Sequence, residues 1–514
     1  MNVYFDNAAT TPLDKKVLEK MLPYMEQGYG NPSSIHKKGR EIKSAIEKSR
    51  SKIAELLSCE PGEIFFTSGG TEADNMFLIN TVIEKNIDTL ITTKLEHHAV
   101  LHCCDYLSKV NKTKIRFVET NEKGDINYQD FEDALKSNKR SLVSLMHGNN
   151  EIGNINNLKK ISKICTQHNA ILHSDTVQTI GHYKIDLNDI NIDGIVGSAH
   201  KFHGPKGVGF LYLNNKHKIS PYIHGGSQER NMRGGTENVY GIIGLAEALK
   251  ISCEEMDEHK EKIISVKRKM IELLKNKIDG IKFNGLSDNL EKSLYTVLNV
   301  SIPGIDDQQM FLFNLDMNNI AASGGSACSS GSDIGSHVLA EIKKREGVLL
   351  AEIKKNEIKK QEIKRRITEA IQNELAEIER KRREEEKRKR EASKKSGEDV
   401  KTANLSFIDE SSEGKIISNK FQNNKGSLPW PISRGSITER FGKNQHPTLS
   451  GVYTNNNGID ISCPEGAIIR AVFEGEVTSV FTIPGSGKVV ILKHGNFRTV
   501  YSNLKETRVS AGNR

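Results

Sequence analysis

Along the first 340 residues, short apolar runs alternate with amphipathic stretches: Ile64-Phe65-Phe66 precedes a helical pattern over 71–84, and Thr89-Leu90-Ile91-Thr92 follows it. Buried strands joined by crossover helices leave this pattern, so an α/β fold with a mainly parallel sheet is expected over 1–340. Beyond residue 340 the texture changes. Ile353, Ile358, Ile363, Ile367, Ile371, Leu375 and Ile378 recur at three-to-five-residue spacing among Lys, Arg and Glu. That predicts one long charged helix over 341–400 with a narrow apolar stripe. The stripe suits a solvated connector or a coiled-coil partner surface, and its irregular steps leave both open. Residues 401–428, dominated by Ser, Lys, Asn and Gly, read as linker. Over 429–514 the runs Ile468–Phe473, Val489–Leu492 and Thr499–Tyr501 alternate with glycine-containing turns and predict a small all-β unit.

Length and composition narrow the class. A chain of 514 residues exceeds what one core organises. Hydrophobic residues make up 36% and charged residues 27%, and no window approaches the roughly 20 apolar residues of a membrane span. Met1-Asn2-Val3-Tyr4-Phe5-Asp6-Asn7 lacks a basic region followed by an apolar run, so a cytoplasmic protein without a secretory signal is expected. The seven cysteines have no CxxC spacing, which argues against a disulfide framework and a zinc cluster. The net charge of +8 comes largely from the Lys/Arg/Glu segment and is not interleaved with aromatics, so no nucleic-acid partner is expected.

Three motifs suggest a phosphate-bearing cofactor held by a lysine. Thr67-Ser68-Gly69-Gly70-Thr71-Glu72 puts a glycine pair between a strand and a helix, where backbone N–H groups and a hydroxyl suit a phosphate. His173-Ser174-Asp175-Thr176-Val177-Gln178 follows the apolar Ala170-Ile171-Leu172 and sets an acid at a strand end, able to keep a pyridinium nitrogen protonated. Gly197-Ser198-Ala199-His200-Lys201 follows the apolar 192–196 stretch, and a lysine in such a turn can be desolvated for Schiff-base chemistry. Each motif alone is weak; their combination is not.

These motifs, with Tyr4 to Thr11, Gly30-Asn31-Pro32-Ser33-Ser34, Glu96-His97-His98-Ala99-Val100, Asn149-Asn150-Glu151-Ile152-Gly153, Arg233-Gly234-Gly235-Thr236-Glu237-Asn238 and Ser326-Ala327-Cys328-Ser329-Ser330-Gly331, run in the order of a known family. Residues 1–340 resemble the cysteine desulfurases of the NifS/IscS type, fold-type I pyridoxal-phosphate enzymes of the class V aminotransferase fold. The resemblance implies that Lys201 holds pyridoxal 5'-phosphate, His97 stacks on its ring and Asp175 pairs with the ring nitrogen. Gln178 and Asn150 are implied near the phenolic oxygen and the substrate. Gly70, Thr71, Ser198 and His200 are implied at the phosphate, with Thr236 reaching it from the other subunit of a homodimer.

Cys328 lies in a Ser/Gly-rich stretch too polar to bury a thiol, which suits a mobile nucleophile. By the resemblance it takes sulfur from free L-cysteine, leaving L-alanine, and passes its persulfide to iron-sulfur scaffold proteins or tRNA-thiolation factors. As a metal ligand it would serve an iron-sulfur cluster only transiently.

The family pattern stops after Gly335-Ser336-His337-Val338-Leu339. The segment that in the family brings an arginine to the substrate carboxylate and closes the small domain is replaced by the charged helix, so a truncated small domain with exposed apolar surface and impaired turnover is expected. Ala340-Glu341-Ile342-Lys343-Lys344 recurs as Ala351-Glu352-Ile353-Lys354-Lys355, which points to a junction of two reading frames. Trp430-Pro431, Arg440-Phe441-Gly442 and Asn456-Asn457-Gly458-Ile459-Asp460 resemble a LytM/lysostaphin-type peptidase domain. Asn456 stands where active members have a zinc-binding His, Asn503 where they have a catalytic His, and the chain ends before a His-x-His. A truncated, inactive domain like the EnvC-type activators of wall amidases is the expectation, and such a non-enzymatic activator is the rival reading of the whole chain.

Overall fold

The computed structural model describes residues 2–137, 140–305, 308–324, 335–396, 412–445, 453–456, 458–483 and 487–514. The chain divides into two compact units, Met1–Ala351 and Glu352–Arg514.

The first unit is built on a seven-stranded sheet of β1 (Ile64–Thr67), β2 (Thr89–Thr92), β3 (Lys114–Phe117), β4 (Ser141–Ser144), β5 (Ile171–Asp175), β6 (Gly194–Ser198) and β7 (Gly209–Leu213). Their order across the sheet is β1-β7-β6-β5-β4-β2-β3. β7 runs antiparallel to both its neighbours, whereas the other pairings are parallel. The expected α/β class and mainly parallel sheet are therefore what the chain adopts, with β7 as the exception.

Alternate residues of each strand feed two separate apolar layers. Ile64, Phe66, Val143 and Ile195 join one cluster, which holds Phe131, Phe202 and Leu245. Their chain neighbours Phe65, Leu142 and Val196 join the other, with Met76, Phe77 and Leu107. This period of two, with apolar residues on both faces, is why the strands read as continuous apolar runs. The helices α1 (Lys37–Leu57) and α4 (Val239–Glu254) cover the first face, and α2 (Gly70–Glu84) and α3 (His98–Val110) the second. Close fit fixes the layering: a Cβ on Gly194 of β6 would lie 2.3 Å from the Phe77 ring.

The rest of this unit is thinner. Val3–Tyr4 pairs in parallel with Ile320–Ala321, and Lys282–Phe283 pairs with Val300–Ser301. The helix Gln308–Met317 leaves Met310, Phe313 and Met317 more than half exposed. The long helix α5 runs from His337 to Ser396, four residues earlier than its charge pattern suggests. The Ser336 hydroxyl accepts from the Leu339 N–H at 3.0 Å and caps that earlier start. Its first turns set Val338 and Ile342 against Leu95 and Ile152 as a small separate core.

In the second unit, Glu476–Ile483, Gly487–His494 and Phe497–Leu504 form an antiparallel meander. Two further antiparallel pairs join Ser436–Glu439 to Asp460–Ser462 and Gly442–Gln445 to Tyr453–Asn456. The all-β expectation holds for these strands, but Ile468–Phe473 forms none, with Ile468 76% exposed, and Ser412–Asn423, expected as linker, is a helix whose Phe421 stacks on His494 and Phe497. Among the described residues no helix is long and apolar enough to cross a membrane.

Candidate active site

Apart from its N-terminal contribution, the candidate site gathers where strands stop. β1 ends at Thr67 and leads to Gly70 and Thr71, β2 leads to His97, and β4 leads to Asn150. β5 ends at Asp175, three residues before Gln178, and β6 ends at Ser198, just before His200 and Lys201. The carboxyl ends of parallel strands lie on one edge of the sheet, the usual place for a ligand in such folds. These nine residues line one cleft of about 210 Å³, closed on another side by Asp6, Ala8 and Ala9. Thr236 is exposed and outside that lining. Cys328 lies outside the described residues; Ser323, within them, lines the cleft and donates to Asp6 Oδ1 at 2.7 Å.

The N-terminal segment fixes the lysine. Lys201 Nζ donates to the carbonyls of Ala8 at 2.5 Å and Ala9 at 2.9 Å. Gln178 Nε2 donates to the same Ala8 carbonyl at 2.9 Å. Behind Lys201, His182 Nε2 lies 3.0 Å from its carbonyl, and His182 Nδ1 lies 3.0 Å from the Tyr295 hydroxyl. His97 caps α3, its Nδ1 accepting from the Ala99 N–H at 3.2 Å. The His200 ring meets the Thr10 hydroxyl at 3.1 Å.

Burial sorts the charges. His200 is held neutral, its pKa pulled down to about 4 by burial and by the Lys201 and Lys206 ammoniums. Glu96, next to His97, is fully buried and pushed up to about 8, although it accepts from the Met146 N–H and the Thr93 hydroxyl. Asp74, 1% exposed on the cleft wall, is raised well above the carboxylate range by burial, then by Asp175 and Glu96. Its Oδ1 lies 3.4 Å from His173 Nε2, and burial holds His173 neutral with a pKa near 3. Two of the three neighbouring carboxyls are thus disfavoured as anions. The sequence motifs give a role to Asp175, include Glu96 without one and pass over Asp74, because nothing local shows that these two acids turn inward.

The site fits the cofactor that the resemblance implies. α2 begins at Gly70, and its N-cap Gly69 offers no side-chain cap, so its first N–H groups remain for an anion. A Cβ on Gly70 would stand 2.7 Å from Val177 Cγ2, so the cradle admits backbone only. By the resemblance, Gly70, Thr71, Ser198 and His200 would hold the phosphate, and His97, Asp175 and Lys201 would serve the ring face, the ring nitrogen and the aldehyde carbon; all seven line the one cleft. In contrast, no arginine is among the described residues that line the cleft. Arg345 of α5 pairs instead with Glu119 and Glu341.

Comparison with known proteins identifies the family. Residues 3–349 match the aminotransferase class-V family, and residues 454–514 match peptidase family M23. The putative cysteine desulfurase IscS 1 of Bacillus subtilis is 43% identical over 339 residues, which cover 66% of this chain and 88% of that protein. The cysteine desulfurase IscS of Clostridium botulinum is 43% identical over 342 residues, 66% of this chain and 85% of the relative. A solved NifS-like protein superposes with a TM-score of 0.61 at 38% identity, covering 67% of this chain and 90% of its own. SspA, solved in complex with cysteine, gives 0.57 at 31% identity over 66% and 94% of the two chains. The chain therefore belongs to the class-V aminotransferase family, among its pyridoxal-phosphate-dependent cysteine desulfurases, and carries an M23 peptidase-like region toward its C-terminus.

Proposed function

We propose that the first unit converts free L-cysteine to L-alanine and leaves the sulfur as a persulfide on Cys328, for delivery to an iron-sulfur scaffold or another acceptor protein in the cytoplasm. The supporting observation is the convergence of Lys201, His97, Asp175 and the Gly70–Thr71 turn on one cleft. Bound pyridoxal phosphate supplies an electron sink for the charge left when the substrate α-proton departs. Lys201 moves that proton, and the Ala8 and Ala9 carbonyls hold its amine in the cleft. His200, neutral at pH 7, donates or accepts a hydrogen bond there without adding charge. The Cys328 thiolate forms a bond to the substrate sulfur as the substrate C–S bond breaks. The electron pair of that bond stays with the departing fragment, which takes up a proton on its way to alanine.

Without an arginine on the described cleft wall, the substrate carboxylate rests on neutral donors such as Asn150 and Gln178. The loss of a bidentate clamp is on the order of 2 to 4 kcal/mol, read as a raised KM. Thr236 stands exposed and away from its own cleft, which supports a homodimer in which it serves the other subunit. The M23-like stretch is read as non-catalytic, since Asn456 offers an amide where zinc needs an imidazole. A role as an amidase activator would rest on that stretch alone and predicts colourless protein that stimulates an amidase. The deciding test is purified full-length protein with L-cysteine. Yellow protein producing alanine, and C328S that keeps the colour but releases no sulfide, fits the reading; C328S that loses its colour contradicts the role given to Cys328.

A further inference from the structure

Glu229, Arg230 and Asn231 adopt φ angles of 44°, 58° and 67° in succession. Three consecutive non-glycine residues in the left-handed region cost free energy, and such a run persists only where its surroundings dictate it. Here the surroundings are strand β1. Arg50 of α1, its side chain 3% exposed, donates to both Glu229 carboxylate oxygens at 2.8 Å and to the Ile64 carbonyl at 2.8 Å. The Glu229 carboxylate also accepts from the Phe66 N–H at 2.8 Å. Arg230 donates to the Ile64 carbonyl at 2.6 Å and lies over the Phe65 ring.

The clamp continues toward the phosphate turn. Arg233 bonds both oxygens of Glu72, at 3.0 and 3.3 Å, and Glu72 accepts from the Ser68 N–H at 2.9 Å. Burial alone would raise the Glu72 pKa, but these bonds hold it below its ordinary value. The Arg233 charge thereby offsets a carboxylate that stands one residue from Thr71. Past Arg233, Gly234 packs so tightly that a Cβ there would lie 2.7 Å from the Gly225 Cα, and exposed Thr236 follows. A buried ion pair seldom stabilises a fold more than apolar packing would, so the use of one here favours a role in fixing a single geometry.

We propose that Arg50, Glu229 and Arg233 are positioning residues that hold the 229–236 loop pre-formed against β1, so that Thr236 meets the cofactor phosphate bound by a second copy of the chain. This rests on the homodimer reading. A pre-formed loop pays its ordering cost at folding, which leaves phosphate binding tighter.

The test compares the dissociation constants of pyridoxal phosphate and of phosphate-free pyridoxal for the full chain and for T236A, E229Q and N231G, with sedimentation to report oligomeric state. N231G relieves strain without touching the ion pair, so it keeps the test decisive if E229Q fails to fold. The expected result is a dimer throughout, with pyridoxal phosphate weakened roughly 10-fold in T236A and E229Q and about 3-fold in N231G, while pyridoxal changes less than about 2-fold. N231G should melt no lower than the parent. T236A weakened with E229Q and N231G unchanged overturns the positioning role alone. T236A unchanged overturns the cross-subunit reading and this proposal with it. Equal weakening of both ligands reduces the clamp to a structural part and also overturns the proposal.

Discussion

Both units carry β-sheet, mainly parallel in the first and antiparallel among the described residues of the second, yet they support their strand ends very differently. In the first unit, apolar layers on both faces of the seven-stranded sheet fix every strand, and the polar side chains converge at the carboxyl ends. Among the described residues of the second unit, the apolar clusters are small, one around Val477, Val490 and Leu492 and one around Val489 and Ile491, with Ile432 also buried. Large apolar residues such as Phe441 and Ile468 stay exposed there. The first unit buries Asp74 and Asp175 in the cleft wall, with Glu96 close enough to raise the Asp74 pKa. The second has Asn456 at its would-be zinc position. A working constellation needs rigid elements beneath it as well as the right side chains, and the first unit provides such elements under its cleft.

The largest effect that would break this contrast belongs to Lys201. K201A should lower alanine formation from cysteine at least about 10³-fold, because proton transfer and the cofactor anchor go together; a loss under tenfold, measured by alanine assay, would place the chemistry elsewhere. A medium effect is expected in the second unit. I491A truncates a side chain only 2% exposed and should destabilise that unit by about 2 to 4 kcal/mol. Hydrogen exchange across 476–504 should show it while cysteine turnover stays at the parent rate, and a fall in turnover would mean that the units do not divide the work as described.

The smallest effect concerns pH. His147, His173, His182 and His200 are held neutral chiefly by burial, with pKa values near 4, 3, 4 and 4 against an ordinary 6.5. The unfolded chain therefore protonates first, and stability should fall as pH drops below about 6.5 and go on falling to about 4. Glu96 works oppositely: its folded pKa of about 8 lies above the ordinary 4.5, so its contribution is whole below 4.5 and lost as pH rises through 8. E96Q should gain roughly 2 to 4 °C on the parent in thermal midpoint between pH 6 and pH 9. A difference that stays flat across that range would show Glu96 to be ionised in the fold.

Much of the first unit was legible because strand ends announce themselves. An apolar run that stops at Asp175 or before Lys201 marks both the element and the edge it faces. What stayed hidden depends on contacts between distant segments. The Arg50–Glu229 pair joins residues 179 positions apart, and the inward turn of Asp74 depends on how α2 lies against β5. Ile468–Phe473 misled for the opposite reason, since an apolar run becomes a strand only where a partner strand lies alongside. The start of α5 escaped notice because its cap, Ser336, sits ahead of the charged pattern. The Cys328 loop was read from composition and the family resemblance and lies outside the described residues.

Lys201 and Cys328 act in one reaction under the proposed function, and single-turnover mass analysis tests this most directly. Full-length protein loaded with pyridoxal phosphate and given one equivalent of L-cysteine should form alanine and one persulfide together, with the added sulfur on the peptide that carries Cys328. Alanine without added sulfur on that peptide, or sulfur on another cysteine, would contradict the account.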